Sequence, residues 1–442
     1  MKPTLVLAPC VLALSLLCQG QTEPPSVPVS DPSGVSVSVE EAVAEARQAN
    51  PSIRTAVRQL SLARMKIATA RSLDDPMFMM RDWSTPLRKP WDLNQAQLMF
   101  SLQQTFQSRQ KRDLRGKLAG DDVEVMAEDL KALRQEVDAN VRKSCVDLMR
   151  IADEVKLNDR QAALLKEAVA TALAEYTTGK VPQADVLRAQ MALTRLNEQL
   201  IELEEERDTA RAELNALLGR PPDQGVEIAG NYRSLATLPS IEELEQLAIT
   251  HRPELARLRK QIAKSKDESQ LTRLAMKPDF TAALGYMLMP TGSTYRNAYM
   301  AEMTMNLPWL NRERHDGETK QADAATEVSA AELEARTSTV FLEIRQAEVA
   351  VLSAQKRVKL YRDTLLPQAE AAFKASAAAY QNNRGDFANL IDSQNLLLDI
   401  EIASNKASAA TDAGMARLER AIGAPLAGEP GADLPGKGRT SK

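Results

Sequence analysis

The chain repeats itself. "SVEEAVAEARQANPSI" at 38–53 is answered by "SIEELEQLAITHRPEL" at 240–255, and Pro76 by Pro278, both at an offset of 202. "TFQSRQK" at 105–111 is answered by "PWLNRER" at 308–314, now at 203. Tyr176 and Tyr380, Gln190 and Gln394, Gly219 and Gly423, and Pro221 and Pro425 all stand 204 apart. Single pairs are weak, but ordered pairs at a nearly constant spacing mark a duplication. Whatever this chain folds into is one unit built twice.

Each half carries the same parts. Ser38 and Ser240 stand as N-caps with acids in the following turn, opening helices expected to run to about 72 and 275. A very long helix follows, roughly 110–177 and 316–381, then a return helix, roughly 183–219 and 386–422. In the first return helix Val186, Leu193, Leu200 and Leu214 recur by sevens, interleaved with Ala189, Leu196, Leu203, Ala210 and Leu217. That is the a/d stripe of a coiled coil. The outgoing helix carries Val123, Leu130 and Val137, then shifts phase through Val141, Cys145 and Leu148. A helix this long spans roughly 100 Å, more than a globular core requires. Charged residues at 26% and aromatics at 4% suit such rods. Cys145, alone on its helix, reads as a small buried hydrophobe.

Between the helices, at about 76–107 and 278–308, the rhythm changes to alternation. In "QAQLMFSLQQTF" Leu98, Phe100 and Leu102 face one side, and Met99, Ser101 and Gln103 the other. "PDFTAALGYMLM" and "YMAEMTMNL" alternate in the same way. Short strands with one apolar and one polar face are the pattern of a membrane β-barrel. Trp83, Trp91, Tyr286, Tyr295 and Tyr299 suit the lipid interface. About four such strands cannot close alone, because an open edge cannot sit in lipid. The competing reading is a soluble sheet capping a helical bundle.

The ends frame this core. Residues 1–20, with Lys2 before "LVLAPCVLALSLL", read as a secretory signal. Cleavage after Gly20 competes with lipoprotein processing at Cys18, where Leu17 is larger than a lipobox prefers. Residues 21–37 are an extended segment, 38–223 the first repeat, 224–239 a linker, 240–427 the second repeat, and 428–442 a disordered tail. A net charge of −4 leaves no basic footprint for nucleic acid. His251 and His315 are isolated, and the chain carries neither HExxH nor a Gly-rich phosphate loop. No enzyme and no cofactor is expected.

"EEAVAEARQANPSI" with its second copy, "NLPWLNRER", the two tyrosine turns, and the closing "LNALLGRPP" and "LERAIGAPL" together resemble the TolC family of outer-membrane efflux proteins. The resemblance spans about 38–427. It implies a homotrimer with duplicated coiled-coil hairpins forming an α-barrel tunnel. Four strands per protomer would enter a twelve-stranded barrel in the outer membrane of a Gram-negative-type cell, above a long periplasmic portion. It implies a passive duct working with a periplasmic membrane fusion (adaptor) protein and an inner-membrane pump. "NLPWLNRER" and the methionines before it lean toward the CzcC-like branch, which serves heavy-metal pumps of the resistance-nodulation-division type. Met77, Met79, Met80, Met287, Met289, Met300, Met303 and Met305 are soft donors, or apolar filler on the lipid side. The alternatives are a duct for drugs or a secreted protein, and a periplasmic coiled-coil adaptor.

The resemblance also places the working ends. The tyrosine turns match the periplasmic tips, making Tyr176, Gly179, Lys180, Tyr380, Asn383 and Arg384 adaptor-docking positions, or simply the packed ends of the coils. Asn389 and Asp392 match acids that narrow the aperture, one of them neutral here. In a trimer Asp392 would form a ring of carboxylates that attracts cations. Asp185 matches an acid tied to a basic residue of the second turn. Gly385 holds that basic position here, which shifts the expected partner to Arg384.

Overall fold

The computed structural model describes residues 35–83, 97–233, 237–295, 297–382 and 384–426. Cys18 with the rest of the leader, most of 21–37, Trp91, Asn383 and the tail 428–442 lie outside the described residues. The first half runs β1 (Val35–Ser38), α1 (Val39–Ala49), α2 (Pro51–Arg71), β2 (Met77–Asp82), β3 (Leu98–Phe106), α3 (Arg109–Thr177) and α4 (Gln183–Leu218). The second runs β4 (Val226–Ala229), α5 (Ile241–His251), α6 (Pro253–Leu274), β5 (Phe280–Leu288), β6 (Asn297–Met305), α7 (Arg312–Leu360), α8 (Leu366–Gln381) and α9 (Phe387–Ile422).

Both halves open with a capping box, Ser38 with Glu41 and Ser240 with Glu243. The single opening helix expected in each half is two helices. Proline lacks an N–H and pushes the residue before it out of the helical region, so the chain breaks before Pro51 and Pro253. Asn50 fills the first break. Its side chain accepts from the N–H groups of Ser52 and Ile53 and donates to the carbonyl of Leu217. Arg252 fills the second, buried, donating to the carbonyl of Ala421 at 2.8 Å and pairing with Glu254 and Glu343. The return helices end against these breaks at Gly219 (φ 70°) and Gly423 (φ 76°). A Cβ there would lie 2.9 Å from the Ala49 carbonyl oxygen and 2.8 Å from that of His251. Glycine is thus required twice, for conformation and for space.

The long helix α3 has 69 residues, about 100 Å. Its seam is buried at Leu130, Val137, Val141, Cys145 and Leu148, phase shift included, whereas Met126 is exposed. Burial pushes the Cys145 thiol up to about 12. The second long helix, expected to be continuous, is interrupted by a wide π-type turn at Tyr361–Leu365. Pro367 favours it. Proline cannot donate to the carbonyl four residues back and its ring presses on it. The chain widens, and the Leu366 N–H reaches five residues back to the Tyr361 carbonyl. Before this turn buried positions repeat at 203: Val137 with Val340, Val141 with Ile344, Leu148 with Val351. Beyond it they repeat at 204, as with Leu165 and Ala369.

Each half has its own core around its long helix. A third core joins the halves at the hairpin end, where Leu165 and Ala172 of α3 meet Val186 and Leu196 of α4 and Phe387 and Ile391 of α9. The span 224–239, expected as a linker, contains β4, which pairs in parallel with β1.

Candidate functional site

The opposite ends of the rods differ in chemistry. At one end β2, β3, β5 and β6 form a four-stranded antiparallel sheet in the order β2-β3-β5-β6. The register aligns Phe78 with Leu102, Leu102 with Leu284, and Leu284 with Ala301; the next row is Met80, Phe100, Tyr286 and Tyr299. Directly opposed residues share a face, so these rows form one apolar surface. It faces outward: Phe78 and Leu284 are each 70% exposed, Tyr299 89% and Met303 72%. The other face carries Ser101, Gln103, Thr105, Thr281 and Thr304 with Ala283 and Gly285, and its centre at Met99, Ser101 and Ala283 is covered. The methionines divide accordingly. Met80, Met303 and Met305 lie on the apolar face, and Met79, Met287 and Met300 on the other. Among the described residues β2 and β6 each pair on one side only.

A latch anchors this sheet to the rods. Lys111, buried at the start of α3, donates to the carbonyl of Lys277 at 2.8 Å and to Asp279 at 2.9 Å.

At the far end the chain turns twice. In the first turn Gly179 takes φ 72°, and the Lys180 N–H closes on the Glu175 carbonyl at 2.9 Å. In the second the Arg384 N–H closes on the Ala379 carbonyl, also at 2.9 Å. The turns are the same device, but their tyrosines differ. Tyr176 is exposed. Tyr380 packs edge-on against Phe387 and donates to the Glu175 carboxylate at 2.6 Å, tying one hairpin to the other. Burial and this carboxylate hold the Tyr380 phenol above its usual range.

Residues 42–220 and 244–424 match the family model of outer membrane efflux proteins. The chain belongs to that family. It is 24% identical over 370 residues to the cobalt-zinc-cadmium resistance protein CzcC of Cupriavidus metallidurans, covering 83% of this chain and 85% of that protein. Its fold is similar to the outer-membrane channel OprN (TM-score 0.72, 17% identity, 87% and 89% of the two chains) and to CusC (0.72, 15%, 88% and 93%). VceC of Vibrio cholerae aligns with TM-score 0.71 at 17% identity, over 88% and 96% of the two chains. The family is one of outer-membrane efflux proteins, which makes transport the function class of the chain.

The expected efflux-family positions fall as follows. Tyr176, Gly179, Lys180, Tyr380 and Arg384 lie together at the turns; Asn383 is outside the described residues. Asn389 and Asp392 are exposed on the first turns of α9. Asp185 is buried, and its ion-pair partner is Arg188 of its own helix at 3.9 Å. Arg384 is exposed, and within the protomer no ion pair joins it to Asp185 among the described residues. Gly385 explains the shift: a Cβ there would lie 3.0 Å from both the Ala379 Cβ and the Tyr380 nitrogen. A side chain there would press on the preceding helix end, and the turn would have to give by a few tenths of an ångström to take it. His315 pairs with Glu318 at 3.1 Å, and His251 is exposed in the last turn of α5. The tie missed from sequence is Glu175 to Tyr380. Its signal was the difference between "AEYTTGK" and "AAYQNNR", where only the first copy has an acid before the tyrosine.

Proposed function

We propose that this chain is the outer-membrane duct of a tripartite efflux machine, passive itself and exporting heavy-metal ions. The observation that carries the reading is the four-stranded sheet, with its solvent-facing apolar surface and two open edges. An apolar face of this kind belongs in lipid, and an open edge cannot remain there. Three copies joined edge to edge give twelve strands, which suits a homotrimer with β6 of each copy on β2 of the next. The rods then line a tunnel across the periplasm, with the turns at Tyr176–Lys180 and Tyr380–Arg384 offered to an adaptor protein and, through it, to a pump of the resistance-nodulation-division type.

The metal assignment rests on similarity to CzcC. A duct leaves selection to its pump, so drug export is the second outcome of the test. Expressed with its adaptor and pump in a sensitive strain, the chain is expected to restore growth in cobalt, zinc or cadmium. Restored tolerance only to organic drugs would replace the metal assignment. Recovery in the inner membrane, or as a monomer after crosslinking, would remove the duct reading. The intact mass of the mature chain distinguishes lipidation at Cys18 from cleavage after Gly20.

A further inference from the structure

The return helices α4 and α9 are copies of each other, and toward the turns some of their exposed charges are opposite at matching positions. Arg188 stands where α9 has Asp392, and Arg195 where it has Asp399, each pair 204 apart. One heptad further on both signs reverse together, with Glu202 matched by Lys406. In the protomer the four lower residues line one groove of about 630 Å³ between α4 and α9, floored by Leu165 of α3. All four are exposed, and no ion pair crosses the groove among the described residues. At the third level Lys406 is drawn to Glu154 at 3.7 Å.

Positions 188 and 392 are the same position of the repeat, yet they line opposite walls. A position that serves both walls stands on the crest between two grooves. The duplication therefore demands a second groove beside α9, floored by α8 at Ala369, the match of Leu165. Within one protomer that groove has α9 as one wall and no second wall among the described residues. The chain's own α4 is already used at the first groove.

We propose that α4 of a second copy supplies the missing wall, its Arg188 and Arg195 meeting Asp392 and Asp399 of the first. This rests on the trimeric duct proposed above. Around three copies each level becomes a ring of three arginines alternating with three aspartates, and two such rings stack about 10 Å apart. The Asp392 ring expected from sequence is therefore neutralised by Arg188 and does not act as a bare cation trap. The rings hold neighbouring copies together at the tip end through electrostatic complementarity, and salt weakens them.

The test uses full-length chains carrying two different tags, one with Arg188→Cys and the other with Asp392→Cys, co-expressed and treated with a bifunctional maleimide. Cys145 is buried and stays out of the reaction. An adduct carrying both tags is expected. A trimer without that adduct overturns this inference alone, and a monomer overturns the duct reading with it. Planar-bilayer conductance gives a second measurement. R188D/R195D, with like charges around each ring, should raise the conductance of the closed trimer, and adding D392R/D399R should return it to the wild-type level. A swapped chain that stays as open as R188D/R195D overturns the inference.

Discussion

At the scale of single residues, the two halves have drifted at the positions that govern the tips. Tyr380→Phe keeps the ring on Phe387 but removes the bond to Glu175. A hydrogen bond to a charged group contributes about 1.5–3 kcal/mol when shielded, and less at this half-open site. The variant is expected to open the proposed trimer more readily in bilayers, and Glu175→Ala, which removes the acceptor, should do the same; unchanged conductance in both would argue against the tie. The glycines make a graded series. Gly179→Ala meets open space at φ 72°, so only the left-handed backbone costs, about 1 kcal/mol. Gly423→Ala adds a clash with His251 and Arg252 and should cost clearly more in urea denaturation. Asp121 supplies a pH response. Burial first, then Asp267, pushes its carboxyl up to about 6, against about 4 in an unfolded chain. The folded state then holds the proton more tightly, so this contribution is full below pH 4 and is lost as pH rises through 6. Stability of wild type relative to Asp121→Asn should fall across that window, and a flat difference would contradict it.

At the scale of elements, helix periodicity and strand alternation are strong local signals, so the long rods, the return helices and the strands at 98–106, 280–288 and 297–305 could be read from residue order. The breaks at Asn50 and Arg252 were also written there, in Pro51 and Pro253, but apolar spacing continues across them and hides the bend. Burial at Met99 and Ser101 could not be read, because alternation distinguishes two faces without saying which one is covered. The Arg188–Asp392 juxtaposition needs the packing of α4 and α9 over Leu165, which no local pattern encodes. The wide turn at Tyr361–Leu365 is open to direct test. Pro367→Ala restores a helix donor, but the ring already sits in the first turn of α8, where a proline is tolerated, and the extra residue of this rod still has to be absorbed. The wide turn should therefore persist and the melting temperature by circular dichroism should barely move; a clear rise would mean that Pro367 alone holds the turn.

At the scale of the whole molecule, one end presents an exposed apolar sheet face and the other two polar turns. Leu284→Lys places a charge in the middle of the apolar face, at a cost of about 2–4 kcal/mol near a bilayer midplane. It should deplete folded protein from outer-membrane fractions, whereas Thr281→Lys on the opposite face should be tolerated; equal losses would argue against the orientation of the sheet. The wide turn in the second rod also has a meaning at this scale. The repeat spacing is 203 before it and 204 after it, so the second rod holds one extra residue. In an uninterrupted helix an inserted residue rotates everything downstream by about 100°, which would swing Ala369 and Tyr380 off the seam. The bulge takes up that residue within one turn and returns the helix to phase. It is the fossil of an insertion, stored where it does least harm. Deleting Asp363 together with Pro367→Ala should leave a plain helix with its tip still in register, whereas removing one residue from the matching stretch of α3 should throw the first tip out of phase and scatter the hairpin it anchors.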